Sequence, residues 1–392
     1  MKLPEKTKSL YTKDILLVLA ASFFYMATPM IVTPLITGFS ETLGTSGVLM
    51  GIIGGLTNIS SLLCRPFLGN IADKISKYKL AFIGAGFLLA ACIGYVVAVN
   101  PVMVIVSRII HGIGYACCSV CLSTWMSNML PRDKIGYGMG MYGSVNALGM
   151  AVTPAVGVYV YQVFGYRVSF MLSLIASALV ILLIQFIQDK GMPIVHEEVT
   201  AKTHKKTPFY LQIVDMKVLP VAAIMMLFAI PYFANQSFIV RYTETRHIAV
   251  SISWFFPFYA AALLILRLSL RNLFDKLPFG KFVFACSICM ALSLLILTMM
   301  NNNLFMFAAA MLLAASYGIM CSVCQSTAIL LADEDKRGLA NGTYYTGLDL
   351  GMACGPMIGG FLYGHIDLAY FYPIMLFVIP LCFIIYFAFC RK

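Results

Sequence analysis

Three pairs of cysteines at C-x-x-C spacing suggest chemistry most directly in this sequence, because such pairs can hold a metal ion or cycle between thiol and disulfide. Residues 118–124 read CSVCLST, residues 321–327 read CSVCQST, and residues 286–289 read CSIC. A structural zinc site needs four ligands from nearby pairs, and no stretch of the sequence supplies them. A redox role needs an exposed thiolate. Since all three pairs lie in apolar runs, we predict that they pack against neighbouring helices and that the chain binds no metal and no cofactor.

A second group of residues could bind an anion or take part in proton transfer. Arg108, His111, Tyr115 and Ser119 recur at intervals of three and four, which places them along one stripe of a helix. Asp349 is the only acidic residue within a comparable apolar run. A charged side chain at membrane depth costs at least about 2.5 kcal/mol, so it normally faces a protein interior or a wet cavity. These residues are therefore candidates for ligand binding and proton transfer.

The elements that carry these residues are hydrophobic segments long enough to cross a membrane. The chain has 392 residues, of which 61% are hydrophobic and 11% charged, and its mean hydropathy is +0.89. A water-soluble domain of this size does not have such a composition. A run of about 20 apolar residues spans the hydrocarbon core as a helix. The sequence predicts an all-α membrane protein with twelve transmembrane helices, at 15–37, 46–68, 80–99, 102–127, 136–163, 168–187, 218–240, 249–270, 280–299, 304–331, 338–363 and 369–389.

The distribution of basic residues predicts the orientation of the chain. The formal net charge is +11 at pH 7. With the N-terminus in the cytoplasm, nearly all of the 27 lysines and arginines fall in cytoplasmic segments or adjoining helix ends. The exceptions are Arg108 within a span and Arg167, Arg241 and Arg246 on the outer side. We therefore predict a multi-pass protein of the plasma membrane with both termini cytoplasmic, and no nucleic-acid partner.

The two halves of the chain resemble each other. Shifted by 202 residues, RPFLGNIADK at 65–74 aligns with RLSLRNLFDK at 267–276. The CSVC pairs are 203 residues apart, one residue out of register, which a single insertion before Asp335 explains. The repeat indicates a duplicated six-helix unit. A long polar segment after the sixth span predicts three parts: an N-terminal bundle at 1–187, a cytoplasmic linker at 188–216 and a C-terminal bundle at 217–392.

Two sets of six helices, a long linker and the sequence GNIADKISKYK after the second span together resemble the major facilitator superfamily of secondary transporters. The resemblance covers the whole chain. The loop motif of that family, a glycine followed by Asp-Arg or Asp-Lys and further basic residues, matches at Gly69, Asp73 and Lys74, and its fourth-helix motif Arg-x-x-x-Gly matches at Arg108 and Gly112. The resemblance implies two pseudo-symmetric six-helix bundles that transport by alternating access.

The loop motif and its weaker copy in the second half predict a gate. A carboxylate beside basic residues at a helix end can pair with an arginine or meet the N-terminus of a neighbouring helix. Such a pair closes one face of a transporter and must break to open it. The alternative is that these residues only anchor helix ends among the lipid headgroups. The residues assigned to the gate are Arg65, Gly69, Asp73, Lys74, Arg267, Asp275 and Lys276.

The antiporter motif of the family, G-x-x-x-G-P-x-x-G-G in the fifth helix, is only partly present in the fifth span, at Gly149, Thr153, Pro154 and Gly157. A fuller version lies in the eleventh span. Its glycines and proline predict close helix approach and bending. The residues of this version are Gly351, Gly355, Pro356, Gly359 and Gly360.

Members of the family line a central cavity with helices one, four, seven and ten. Polar residues of these spans and of flanking helices are therefore candidates for substrate contact, although each can instead form a hydrogen bond between helices. The candidates are Tyr25, Thr28, Asn58, Arg108, His111, Tyr115, Tyr142, Asn146, Tyr232, Asn235, Gln236 and Gln325.

The resemblance implies a secondary active transporter of a small organic solute, and we predict proton-coupled efflux of an amphipathic compound. Many methionines and aromatic residues suit adaptable binding of lipophilic compounds. The alternative is proton-coupled uptake of a small organic anion, bound by Arg108 and His111. A membrane enzyme is disfavoured because the sequence has no Gly-rich phosphate loop, no H-E-x-x-H and no G-x-S-x-G. A sensor that keeps the fold without transporting is a third interpretation.

Proton coupling is assigned to Asp349, Arg108 and His111, with Asp349 as the carrier. Asp349 follows Gly338 by 11 residues, which places it about 16 Å along the eleventh helix, near the bilayer midplane. A carboxyl group whose proton affinity differs between the two open states can exchange a proton for substrate. The alternative is a structural acid paired to Arg108. We expect a monomer whose partners are a small-molecule substrate, protons and the lipid bilayer.

Overall fold

The computed structural model describes residues 12–130, 135–192, 214–269, 277–331 and 337–390. Within these ranges the chain is almost entirely helical and contains no strand. The helices of the first half coincide with the first six predicted spans. They are α1 (Lys13–Thr42), α2 (Gly47–Lys74), α3 (Lys77–Val97), α4 (Pro101–Met129), α5 (Ile135–Phe164) and α6 (Tyr166–Gln185).

The helices of the second half complete the predicted pattern. They are α7 (Leu219–Thr245), α8 (Phe255–Ser269), α9 (Phe279–Thr298), α10 (Asn303–Leu313), α11 (Ile319–Leu331), α12 (Arg337–His365), α13 (Phe371–Met375) and α14 (Val378–Ile385). A π turn, Ala314–Gly318, joins α10 to α11, and these elements form the tenth span together. The twelfth span consists of α13 and α14 with a short helical turn at each end. Helix is thus found at each predicted span.

Ten helical segments within the described ranges are long and apolar enough to cross a membrane. The eighth predicted span is represented by a shorter apolar stretch, Ile252–Arg267, because the residues that follow Ser269 lie outside the described part. The eleventh span, α12, is less apolar because it carries Asp349 and a series of glycines. A ranking of the spans by hydropathy alone therefore places the helix with the buried acid last.

The helices pack into two compact units. The first comprises Met1–Val32 and Ser60–Glu197, and the second comprises Thr33–Ile59 and Glu198–Lys392. The helices α1 and α2 therefore each contribute one part to the first unit and one part to the second. The division at a linker over 188–216 stays a prediction.

In the first unit, α3 and α4 pack closely because glycines lie where they meet. A β-carbon added to Gly114 would lie 2.7 Å from the carbonyl oxygen of Gly84 and 2.8 Å from the amide nitrogen of Leu88. A β-carbon at Gly157 of α5 would likewise lie 3.0 Å from the carbonyl oxygen of Ile31 on α1. Small residues of this kind allow membrane helices to approach backbone to backbone. Tight packing thus fixes the positions of the polar side chains on α3 and α4.

The segment that follows α6 is attached to the first unit by directed hydrogen bonds. The carboxylate of Asp14 accepts from the backbone amides of Gln188 at 3.1 Å and Asp189 at 3.0 Å. The indole of Trp125 donates to the carbonyl oxygen of Asp189 at 3.0 Å. Gln188 and Asp189 are themselves exposed, so these bonds attach the start of the predicted connector at the surface of the unit. The reason is that α1 and α4 both supply polar partners there.

In the second unit, α7 and α12 lie against each other along much of their length, and glycines of α12 face α7. A β-carbon at Gly355 would lie 2.7 Å from the carbonyl oxygen of Ile230 and 3.0 Å from the amide nitrogen of Ala234. Gly351, one turn earlier, faces Ala229 in the same way. Because α7 is buried along most of its length, this packing fixes the depth and rotation of α12.

A second face of α12 packs against the beginning of α2, also through glycines. A β-carbon at Gly47 would lie 2.6 Å from the α-carbon of Gly364, and a β-carbon at Gly51 would lie 2.8 Å from the α-carbon of Gly360. The side-chain amide of Asn58 donates to the carbonyl oxygen of Met352 at 3.3 Å. The glycine-rich motif of the eleventh span therefore serves helix packing on two sides.

Asparagine caps begin the corresponding helices α4 and α10. The side chain of Asn100 accepts from the amide of Met103 at 3.0 Å, and that of Asn302 accepts from the amide of Leu304 at 2.9 Å. These bonds satisfy amides that have no partner within the helix. The two helices start alike, but of the two spans that they begin only the tenth is interrupted by a π turn within the residues that the structure describes.

Candidate functional site

The predicted stripe on α4 is buried in the first unit. Arg108 is 1% exposed and His111 is 0% exposed. One turn further on, the ring of Tyr115 lies 5.9 Å from that of Tyr25 on α1. Ser119 follows on the same stripe and is partly buried. The structure therefore brings the predicted polar residues of α4 together with α1, as expected from their spacing.

Hydrogen bonds connect His111 to two neighbouring helices. Its Nε2 atom lies 3.3 Å from the hydroxyl of Thr28 on α1, and its Nδ1 atom lies 3.0 Å from the hydroxyl of Tyr95 on α3. The ring of Tyr95 also lies 5.6 Å from that of His111. Tyr95 was missed by the sequence analysis because it lies on the third helix, outside the helices assigned to the cavity. The sequence feature that could have indicated Tyr95 is a hydroxyl-bearing side chain within an otherwise apolar span.

Two further predicted residues of this unit lie on α5. The side chain of Tyr142 is buried in the same apolar cluster as Tyr25. Asn146 follows one turn later on the same helix and is partly buried. The residues assigned to the substrate cavity in the first half therefore lie on α1, α4 and α5, except Asn58 on α2, which is hydrogen-bonded to α12 in the second unit.

An aromatic cluster in the second unit surrounds Tyr232 of α7. Its ring stacks on that of Tyr317, with centroids 4.0 Å apart and planes at 11°, and lies 5.3 Å from the ring of Tyr259 on α8. Tyr317 belongs to the π turn, so the wide turn presents this ring to α7. The sequence analysis named Tyr232 but neither of its partners. Tyr259 and Tyr317 lie far from Tyr232 in the sequence, so no short-range sequence pattern connects the three residues.

The other predicted polar residues of the second half are divided between α7 and α11. Asn235 is buried and its side-chain oxygen accepts from the hydroxyl of Tyr372 at 2.9 Å. Gln236 follows it on α7 and is also buried. Gln325 donates to the hydroxyl of Tyr345 at 3.2 Å. Asn235 thus forms the hydrogen bond between helices that was the alternative to substrate contact.

Asp349 lies in the second unit, near the middle of α12, and is 4% exposed. The glycines on either side of it, Gly347 and Gly351, place the α12 backbone directly against α7. The carboxyl group is therefore held at a fixed depth by a rigid helix pair. Its distance from the beginning of the helix corresponds to about 18 Å at 1.5 Å per residue.

The predicted gate is described only in part. Arg65 of α2 and Arg267 of α8 are both partly buried. The guanidinium of Arg267 donates to the carbonyl oxygen of Gly318, at the end of the π turn, at 3.5 Å. The surroundings of Gly69, the side chains of Asp73 and Lys74, and the residues Asp275 and Lys276 lie outside what the structure describes. The gate stays a prediction.

An ion pair that the sequence analysis did not predict joins α1 to α7 in the second unit. Arg241 is hydrogen-bonded to the carboxylate of Glu41, and its guanidinium also lies 3.5 Å from the carboxylate of Glu244. Close by along the same two helices, the hydroxyl of Thr37 donates to the carbonyl oxygen of Ser237 at 2.6 Å. The two partners of the ion pair are 200 residues apart in sequence, which is why spacing gave no indication of them.

The cysteine pairs lie against helix backbones and a tyrosine hydroxyl. Cys121 lies 2.7 Å from the carbonyl oxygen of Lys77 on α3, and Cys118 lies 3.9 Å from that of Ala81. In the second unit, Cys321 lies 3.0 Å from the hydroxyl of Tyr344. Within the described ranges, no three His, Cys, Asp or Glu residues cluster as a metal site would require. The surroundings are those of small residues in closely packed helices.

Replacing Cys118, Cys121, Cys321 and Cys324 together by alanine is expected to leave most transport intact. The sulfur atoms fill space against backbone, so we expect only a moderate loss of packing, roughly 1–3 kcal/mol. Transport rate and melting temperature of the purified protein measure the effect. Loss of a stoichiometric metal together with loss of activity would contradict the packing role.

The fold and the site define a class of protein, the polytopic membrane transporter, because buried polar and charged side chains lie at mid-depth of long apolar helices. The sequence matches the family model described as Major Facilitator Superfamily over residues 17–301 and 272–392. The chain belongs to this superfamily.

Relatives and solved structures agree with this assignment. Multidrug resistance protein 2 of Bacillus subtilis is 20% identical over 378 residues, which are 93% of this chain and 91% of the relative. The quinolone resistance protein NorA of Staphylococcus aureus is 22% identical over 349 residues, 86% of this chain and 87% of the relative. A crystal structure of the peptide transporter POT in complex with alafosfalin has a TM-score of 0.78 at 12% identity and covers 98% of this chain and 95% of that chain.

These findings confirm several predictions. The chain is a transporter with the fold of the superfamily, it is a multi-pass membrane protein, and it is not an enzyme. Its substrate is a small molecule, as membership of the family indicates. The residues predicted for the cavity and for proton coupling are not tested by the similarity, because the solved structures share only the fold.

Proposed function

We propose that this protein exports an amphipathic organic compound across the plasma membrane in exchange for protons. Two of the relatives carry the names of multidrug and quinolone resistance proteins. A chain of similar length and the same fold suits a similar class of cargo. Both termini lie in the cytoplasm and the protein acts as a monomer in this proposal.

The burial of Asp349 is the observation that carries proton coupling. It is the one acid within the predicted spans, it is 4% exposed, and it lies on a helix held against α7. A carboxyl group at this depth is stable when it is protonated or when it has a partner. If water or a partner reaches it in only one of the two open states, its proton affinity changes between them. That change couples the proton to the transport cycle.

The nature of the cargo follows from the side chains around the predicted cavity. The aromatic cluster of Tyr232, Tyr259 and Tyr317 offers ring faces and hydroxyl groups with few charges. Such surfaces bind flat, apolar compounds with a small number of polar groups. Tyr25 and Tyr115 supply a comparable pair in the first unit. The cargo is therefore amphipathic and aromatic.

Uptake of a small organic anion is the second candidate, because Arg108 is a buried cation. A carboxylate could bind its guanidinium through two parallel hydrogen bonds. The hydrogen bonds of His111 favour the first candidate, since the hydroxyls of Tyr95 and Thr28 already occupy the two ring nitrogens that an anion would need.

Transport by the purified protein in proteoliposomes tests this proposal. A fluorescent lipophilic dye and a labelled aromatic carboxylate are offered in parallel, with a proton gradient of either direction. We expect the dye to move against its gradient when protons move the other way, and an uncoupler to abolish this movement. Carboxylate accumulation that follows the protons would favour uptake of an anion. Facilitated flux that ignores the gradient would contradict coupling.

A further inference from the structure

The donor and the acceptor of each hydrogen bond around His111 can be identified from the groups involved. The hydroxyl of Thr28 carries a single hydrogen, which it donates to the carbonyl oxygen of Tyr25 at 2.8 Å. In its contact with Nε2 of His111, 3.3 Å away, the Thr28 oxygen must therefore accept. The hydrogen of this bond belongs to the imidazole. Nε2 of His111 is accordingly protonated.

The other side of the ring faces Tyr95. A neutral imidazole carries one hydrogen, so once Nε2 holds it Nδ1 has a lone pair that can accept. The hydroxyl of Tyr95 lies 3.0 Å from Nδ1 of His111 and donates to it. Nδ1 accepts and carries no hydrogen. A continuous chain of donors thus begins at Tyr95 and ends at the Tyr25 carbonyl oxygen.

The surroundings of His111 oppose a second proton on the ring. A proton on Nδ1 would meet the hydrogen of Tyr95, and the positive charge would lie one helical turn from the guanidinium of Arg108 on α4. From α1 the ring meets Thr28, and from α6 Ser173 donates to the Thr28 carbonyl oxygen at 2.9 Å. None of these groups is an anion. The ring is fully buried, so water does not offset the repulsion.

We propose that Tyr95 is a positioning residue that holds His111 as the neutral Nε2–H tautomer, so that His111 acts as a fixed hydrogen-bond connector between α1, α3 and α4. In the transport cycle, His111 therefore does not carry the proton. This statement about the cycle rests on the proposed function. The role that the sequence analysis gave to His111 in proton coupling then falls to Asp349. Arg108 acts as a permanently placed cation.

Nitrogen-15 NMR of the histidine-labelled protein in nanodiscs tests the tautomer without any transport measurement. The His111→Gln variant identifies the signals of His111 by their loss. We expect one protonated nitrogen and one unprotonated nitrogen, assigned to Nε2 and Nδ1, which persist from about pH 8 to about pH 6. A ring protonated on Nδ1, or on both nitrogens, within that range overturns the proposal. The result is decisive whatever the protein transports.

Tyr95→Phe tests positioning, with Tyr159→Phe as a matched control because Tyr159 is 60% exposed on the same unit. Loss of the Tyr95 hydroxyl removes the donor to Nδ1. We expect the His111 signals to change to a mixture of tautomers and the transport rate to fall about tenfold at every pH. The control should match the wild type in both. Unchanged His111 signals in Tyr95→Phe would contradict positioning by this hydroxyl.

His111→Gln separates a connector from a proton carrier. A glutamine amide offers both donors and an acceptor but does not titrate. We expect the transport rate to fall, because the amide does not reproduce both contacts of the ring, while the proton-driven accumulation that remains keeps the pH profile of the wild type. Loss of that accumulation in a variant that still exchanges substrate downhill would overturn the proposal. If the wild type itself shows no proton-driven transport, the proposed function fails, and the NMR result still decides the tautomer.

Discussion

Replacing Asp349 by asparagine is expected to abolish accumulation of substrate against its gradient while downhill exchange of substrate continues. The amide has nearly the shape of the protonated acid, so the packing of α12 on α7 should be preserved. It cannot gain or lose a proton, and so the proton gradient has no group to act on. The expected effect is complete loss of the response to an imposed proton gradient.

The measurement compares uphill accumulation and downhill counterflow in the same proteoliposomes. Asp367→Asn is the matched control, because Asp367 caps the turn that begins the twelfth span by accepting from the amide of Ala369 at 2.8 Å. Asparagine caps as well as aspartate, so this variant should accumulate substrate normally. If Asp349→Asn still concentrates substrate in response to a proton gradient, Asp349 is not the carrier.

The second large effect is expected from adding side chains to the glycine face of α12 that packs on α7. Alanine at Gly355 places a methyl group 2.7 Å from the carbonyl oxygen of Ile230 and 3.0 Å from the amide nitrogen of Ala234. Both atoms are backbone, so one helix must move. We expect a loss of stability of about 1–3 kcal/mol and a marked fall in transport. Leucine at the same position should prevent stable packing altogether.

Gly342→Ala on the same helix is the matched control. A β-carbon there meets nothing within 4 Å, and alanine favours a helix over glycine by about 0.5–1 kcal/mol. Melting temperature and transport rate of the purified variants give the comparison. A Gly355→Ala variant as stable and active as Gly342→Ala would show that α12 and α7 are not tightly packed in the membrane.

The helices could be predicted from the sequence because their length and apolarity are dictated by the thickness of the bilayer. Every predicted span contains helix in its described part, with ends that differ from the prediction by a few residues. Two features of the spans could not be predicted. One is the π turn before Ile319, which leaves hydropathy unchanged, and the other is the division of α1 and α2 between the two units, which depends on packing partners far along the chain.

The candidate site was predictable wherever one helix carries the pattern. Arg108, His111 and Tyr115 share a face of α4, and helical geometry alone places them together. Tyr95 and Glu41 were not predictable, because each becomes significant only through a partner on another helix. A single tyrosine or glutamate near an apolar run carries no information about which helix it will face.

The π turn of the tenth span explains the mismatch between the two copies of the repeat. The capping residues Asn100 and Asn302 are 202 positions apart, whereas Cys118 and Cys321 are 203 apart, so the second copy has one residue more between the cap and the cysteines. An extra residue in a regular α-helix would turn everything beyond it by about 100°. A π turn absorbs it locally, and Ala314–Gly318 lies within that interval. The wide turn therefore lets two helices of unequal length present their cysteines on equivalent faces.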